Sequence, residues 1–255
     1  MLELHNKSHF LPSLLALYDT LSDDDEDIRT EGADVVSRMF GTRLVPLAAA
    51  SKLLGWLERN LGDTKAFRIA FLQRITRSEC PTGLRRFDYK PIPVGIQLEA
   101  AMLNDDSLFV EEEQNLYCDE VREVIAWTSI ITSSQRPLWK DIMSDLSLWA
   151  LEGILTITRL AETRDGPLGQ TSSRLVFSIW MRVILVAKAV MSYHIGDYTG
   201  NSSEILCIPN KFEKEVTSTH LRQRQENLRH AIDHLAVVGI RNNLHPVLID
   251  VLLKK

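Results

Sequence analysis

The sequence predicts an all-α fold built from stacked helical repeats, and three features carry that expectation. Apolar residues recur with the 3.6-residue period of an amphipathic helix along almost the whole chain. No stretch alternates apolar and polar residues in the way a half-buried strand requires. Glycines and prolines stand mostly at the ends of the periodic segments, where they close or open helices. Size and composition agree: 255 residues, 45% hydrophobic and 25% charged, match an ordinary globular protein able to bury a core. They set aside the disordered, fibrous and membrane-embedded classes.

A first helix is marked by Phe10, Leu11, Leu14, Leu15, Tyr18 and Leu21. Ser22 and Asp23 to Asp25 then offer side-chain oxygens to the unpaired amides that open a second helix, which is expected to turn Ile28, Val35, Val36 and Phe40 inward. Gly41 fits the left-handed position that closes a helix, and Pro46 fits the first turn of a third. Its apolar face is Leu47, Leu53, Leu54, Trp56 and Leu57. Gly62 ends that helix, and Asp63 or Thr64 caps a fourth through Phe67, Ile69, Ala70, Phe71 and Ile75. Between residues 78 and 107, Pro81, Gly83, Pro91, Pro93 and Gly95 break the pattern and predict a long irregular connector. Helices resume at about 111–131, 142–163 and 172–193. After a polar loop at 196–203 comes a basic helix centred on Leu221, Leu228, Ile232 and Leu235, then a short closing helix at 244–253. The expectation is about nine helices in one helical-repeat domain over residues 1–255: helix pairs in 1–77, the connector in 78–107, and longer helices in 108–255.

Periodicity alone does not separate a helix bundle from an α-α superhelix of HEAT, ARM or TPR type. The first helix pair favours the superhelix. Leu11-Pro12-Ser13-Leu14-Leu15-Ala16-Leu17, followed by Asp25, Ile28-Arg29 and Ala33, resembles the HEAT repeat, with a proline early in one helix and an Asp and an aliphatic-Arg pair opening the next. In that pattern the Asp caps its helix and the Arg is expected to reach a neighbouring acidic group.

Catalytic signals are absent. Glycine-rich phosphate loops and the Gly-x-Ser-x-Gly elbow do not occur, and there is no strand to carry them. No catalytic residue, cofactor or small-molecule substrate is therefore expected. His230 and His234 stand at i and i+4, a spacing able to chelate a metal, but no third ligand is identifiable and ordinary helix histidines are the simpler reading. The acidic runs Asp23 to Asp27 and Glu111 to Glu113 open helices, where the macrodipole favours negative charge. Cys80, Cys118 and Cys207 form no close pair, which suits reduced, inert thiols. The N-terminus has no secretory signal pattern, and Arg182 and Lys188 interrupt the most apolar stretch, Leu175 to Met191. A cytoplasmic chain with no membrane span is expected.

Charge is unevenly spread. With 29 Lys and Arg against 34 Asp and Glu, the net charge is −5, so no general field draws the molecule to nucleic acid. Two segments are nevertheless basic: residues 64–100 hold seven cations against three anions, and 209–255 hold eight against five. The first contains Arg85, Arg86 and Lys90 interleaved with Phe87 and Tyr89; the second contains Arg222, Arg224 and Arg229. Basic side chains neutralise phosphate and exposed aromatics stack unpaired bases, so these six cations are candidate RNA or partner contacts. The plainer alternative has Phe87 and Tyr89 pinning the connector to neighbouring helices.

Three stretches carry a family resemblance: residues 14–29 (LLALYDTLSDDDEDIR), 44–50 (LVPLAAA) and 108–117 (LFVEEEQNLY). They resemble the C-terminal region of the tRNA methyltransferase regulators homologous to thyroid adenoma-associated protein. The resemblance implies a non-catalytic helical-repeat protein that partners a tRNA ribose 2′-O-methyltransferase in anticodon-loop modification, with tRNA as a further contact. Members of that family are very large, so the resemblance implies that this chain is expected to correspond only to their end. A generic HEAT-like protein scaffold shares every physical feature except these stretches. A helical enzyme with a site in a bundle core is the third reading.

Overall fold

The computed structural model describes residues 10–76, 92–103, 122–130, 140–163, 174–193 and 211–254. Among them the only regular elements are ten α-helices: α1 (Leu11–Thr20), α2 (Glu26–Phe40), α3 (Pro46–Leu61), α4 (Lys65–Thr76), α5 (Val94–Leu103), α6 (residues 122–130), α7 (Lys140–Glu162), α8 (Arg174–Ser192), α9 (Lys211–Arg241) and α10 (Pro246–Leu253). None is long and apolar enough to cross a membrane. The described residues up to Arg74 fall in one compact unit; Ile75, Thr76 and those from residue 92 onward fall in a second.

In the first unit α2 packs against α1 and α3. Asp25 caps α2 by accepting from the Asp27 amide at 2.8 Å, and Gly41 closes it at φ 63°, a conformation that costs glycine nothing. Arg29 departs from the expected ladder. It donates to the carbonyls of Asp23 at 2.6 Å and Asp24 at 2.8 Å, so it clamps the turn ahead of its own helix. Thr64 caps α4 by accepting from the Phe67 amide at 3.2 Å.

The inward face of α2 differs from the one expected. Gly32, Ala33 and Val36 are buried, whereas Ile28 and Val35 are exposed and Phe40 is half-buried. Gly32 sets this rotation: a Cβ there would lie 2.5 Å from Thr20 Oγ1, so the end of α1 closes on the glycine and the bulkier residues stand aside. On α3, Leu53, Leu54 and Leu57 are buried as expected, while Leu47, in the first turn, is 66% exposed.

In the second unit α8 is the central helix, and α5, α7, α9 and α10 all pack against it. Val176, Trp180, Met181, Val183, Ile184, Val186, Ala187 and Val190 are buried, which matches a helix covered on every side. Gly153 of α7 is the point of closest approach. A Cβ there would meet both methyls of Val183 at 2.6 and 2.9 Å and a methyl of Val94 at 3.1 Å. α10 is held at both ends: His245 Nδ1 accepts from the Val247 amide at 3.3 Å, and Lys188 Nζ donates to the carbonyls of Val251 and Lys254. Burial and the nearby Lys254 charge lower the Lys188 pKa from its ordinary value.

α5 occupies part of the span read from sequence as irregular. Its proline and glycine sit where a helix tolerates them: Pro93 just before the first turn, with its carbonyl accepting from Gln97 N at 3.3 Å, and Gly95 within that turn. First-turn amides have no partner inside a helix. Here Glu152 of α7 supplies one, its two carboxylate oxygens accepting from Val94 N at 3.0 Å and Gly95 N at 3.1 Å. Trp149 Nε1 and Gln97 Nε2 both donate to the Ile92 carbonyl, at 3.1 and 3.0 Å.

Candidate partner interface

Of the six cations singled out from sequence, Arg85, Arg86 and Lys90 lie outside the described residues. The other three sit on α9, whose buried line is Leu221, Leu228, Ile232 and Leu235, spaced as one helical face must be. Polar side chains beside that line tie α9 and the turn after it to neighbouring helices. Gln225 Nε2 donates to the carbonyls of Val190 at 2.8 Å and Tyr193 at 2.9 Å, satisfying the end of α8. Asn242 Nδ2 donates to the Ala161 carbonyl at 2.7 Å and does the same for α7.

Arg224 belongs to this packed side. It is half-buried, and its guanidinium donates to the Ser144 carbonyl at 3.2 Å and to Ser144 Oγ. Arg222 and Arg229 are exposed and stand seven residues apart, about 10 Å along one edge of the helix. The structure therefore brings two of the three together and turns the third into a tie between α9 and α7.

The exposed edge is not uniformly positive. Glu226, one turn from Arg222, accepts from Arg229 at 2.8 Å and lies 3.5 Å from His230 Nε2, and Asp233 continues the same edge. Exposed pairs of this kind contribute about 0–1 kcal/mol and are screened by salt. Such an edge suits the charged rim of a protein interface, where alternating signs set register and reject wrong partners. A phosphate backbone would have to displace Glu226 from Arg229. His230 and His234 are both exposed on this helix, and among the described residues no group of three or more His, Cys, Asp or Glu is placed to hold a metal ion.

Sequence reasoning missed exposed apolar lines. On α7, Leu148 and Leu155 recur at i and i+7 and are both exposed; on α2, Ile28, Val35 and Met39 form another. The signal for the second was Gly32, which a hydrophobicity pattern does not count and which decides which side of α2 is buried.

No solved structure matches the chain. Among curated proteins it is similar to the tRNA (32-2′-O)-methyltransferase regulator trm732 of Schizosaccharomyces pombe, with 29% identity over 182 residues, covering 69% of this chain. The chain spans only 11% of that relative's length. A family model described as the Trm72 ARM-like repeat region matches residues 55–255; the chain belongs to that family.

Proposed function

We propose that this chain is a non-catalytic, partner-binding part of a regulator of tRNA ribose 2′-O-methylation. The observation that carries this reading is the family match over residues 55–255, together with the name of the similar Schizosaccharomyces pombe protein. Residues 1–255 act in it as one helical-repeat domain. Helical repeats work by offering an extended surface, and a surface that holds an enzyme against its substrate accelerates the reaction by positioning alone. The methyltransferase brings the chemistry; this chain contributes contacts. The mixed-charge edge of Arg222, Glu226, Arg229 and Asp233 supports a protein partner on α9. Arg85, Arg86 and Lys90 are the cations proposed for tRNA.

Size-exclusion chromatography of the chain with a tRNA (32-2′-O)-methyltransferase, with and without tRNA, tests this reading. Co-elution is expected without tRNA, weakened by Arg222→Glu together with Arg229→Glu. Arg85→Glu with Arg86→Glu is expected to reduce only the tRNA-dependent component and flatten its dependence on salt. A folded chain that elutes alone in every mixture overturns the proposal and leaves the general protein scaffold.

A further inference from the structure

The first unit leaves an apolar line of α2 outside its own core. Ile28, Val35 and Met39 recur at i, i+7 and i+11, which places them within about 20° of one line along the helix. They are 40%, 40% and 46% exposed. Gly32, about 40° round the helix from Ile28, is buried against Thr20 and Leu21, so the end of α1 borders the strip on its inner side. Single exposed aliphatic residues are ordinary on a protein surface; three in helical register form a strip suited to another helix.

The charges beside this line are arranged to meet themselves. Glu31 and Arg38 are both exposed and seven residues apart, so they share one flank of the strip, while the opposite flank, with Val36, is packed into the unit. When two identical helices pack antiparallel, the same flank of each comes face to face. For a two-fold axis passing between Asp34 and Val35, Glu31 of one copy stands opposite Arg38 of the other, and the symmetry repeats the pair. In that register the two Val35 side chains meet beside the axis, and Met39 of each copy lies within a turn of Ile28 of the other. Self-complementarity of this kind is what a closed two-fold interface requires.

We infer that α2 is a self-association face, through which a second copy of this chain docks antiparallel with Ile28, Val35 and Met39 buried and two reciprocal Glu31–Arg38 pairs at the rim. The inference does not depend on the proposed role in tRNA methylation. One helix per copy makes a small interface, so the dimer is weak and concentration-dependent.

Sedimentation equilibrium of the full chain between about 1 and about 500 µM covers the range of such an equilibrium. A monomer–dimer transition is expected. Val35→Glu is expected to weaken the dimer by about 30-fold or more, as loss of a central interface residue does, with melting temperature and circular dichroism unchanged because Val35 is exposed. Glu31→Arg and Arg38→Glu are each expected to weaken it, and the double variant to restore it, since the pair is then merely reversed. A chain monomeric throughout overturns the inference. A dimer indifferent to Val35→Glu, or a double variant no better than either single one, overturns it as well.

Discussion

Replacing Trp180 by Ala is expected to remove about 3–5 kcal/mol of stability from the second unit. Trp180 is only 1% exposed on α8, against which four helices pack. A cavity there cannot close by sliding one helix, because the same helix contacts three others on its remaining sides. Small domains are stable by about 5–15 kcal/mol, so the loss is a large fraction of the whole. Trp180→Phe is expected to be much milder, below about 1.5 kcal/mol. The indole Nε1 has no hydrogen-bond partner among the described residues, and an unpaired buried donor costs about 1–3 kcal/mol, which phenylalanine removes while keeping most of the apolar area. Urea titration followed by circular dichroism checks both, provided the slope is unchanged. An Ala variant within about 1 kcal/mol of the parent would mean that α8 is not central to this core.

Glu152→Ala has the second largest expected effect, about 2–3 kcal/mol. The carboxylate accepts from the amides of Val94 and Gly95, and hydrogen bonds to a charged group contribute about 1.5–3 kcal/mol. Its negative charge also faces the positive end of the α5 dipole. Glu152→Gln, with one acceptor oxygen instead of two and no charge, is expected to lose roughly half as much. Hydrogen exchange separates this role from general destabilisation: the Val94 and Gly95 amides are expected to exchange faster, with those of α8 little changed. Equal acceleration in both helices would contradict the capping role.

Much of the fold is legible in the sequence because its punctuation is local. Asp25, Gly41, Pro46, Gly62 and Thr64 each mark a helix end in the structure, Asp25 and Thr64 by side-chain caps and Gly41 by its left-handed backbone. What was not legible depends on residues distant in sequence. α5 looks irregular because Pro91, Pro93 and Gly95 are read without Glu152, whose carboxylate reaches its first turn from 57 and 58 residues away. Arg224 reads as one more cation on a basic helix until Ser144, 80 residues earlier, accepts its hydrogen bond. Ile28 and Val35 read as core because hydrophobicity does not record how closely α1 approaches Gly32. The family was legible too: the resemblance carried by residues 14–29, 44–50 and 108–117 agrees with the family shown by the match over 55–255. Of those stretches, only 108–117 lies inside the matched span.

The central proposal is that this chain regulates a methyl transfer it does not perform. The most direct measurement is incorporation of labelled methyl groups from S-adenosylmethionine into tRNA, in three mixtures: chain alone, tRNA (32-2′-O)-methyltransferase alone, and both together. Stimulation only when both are present, with none from the chain alone, is the expected result. Incorporation by the chain alone, or an enzyme whose rate the folded chain leaves unchanged, would contradict it.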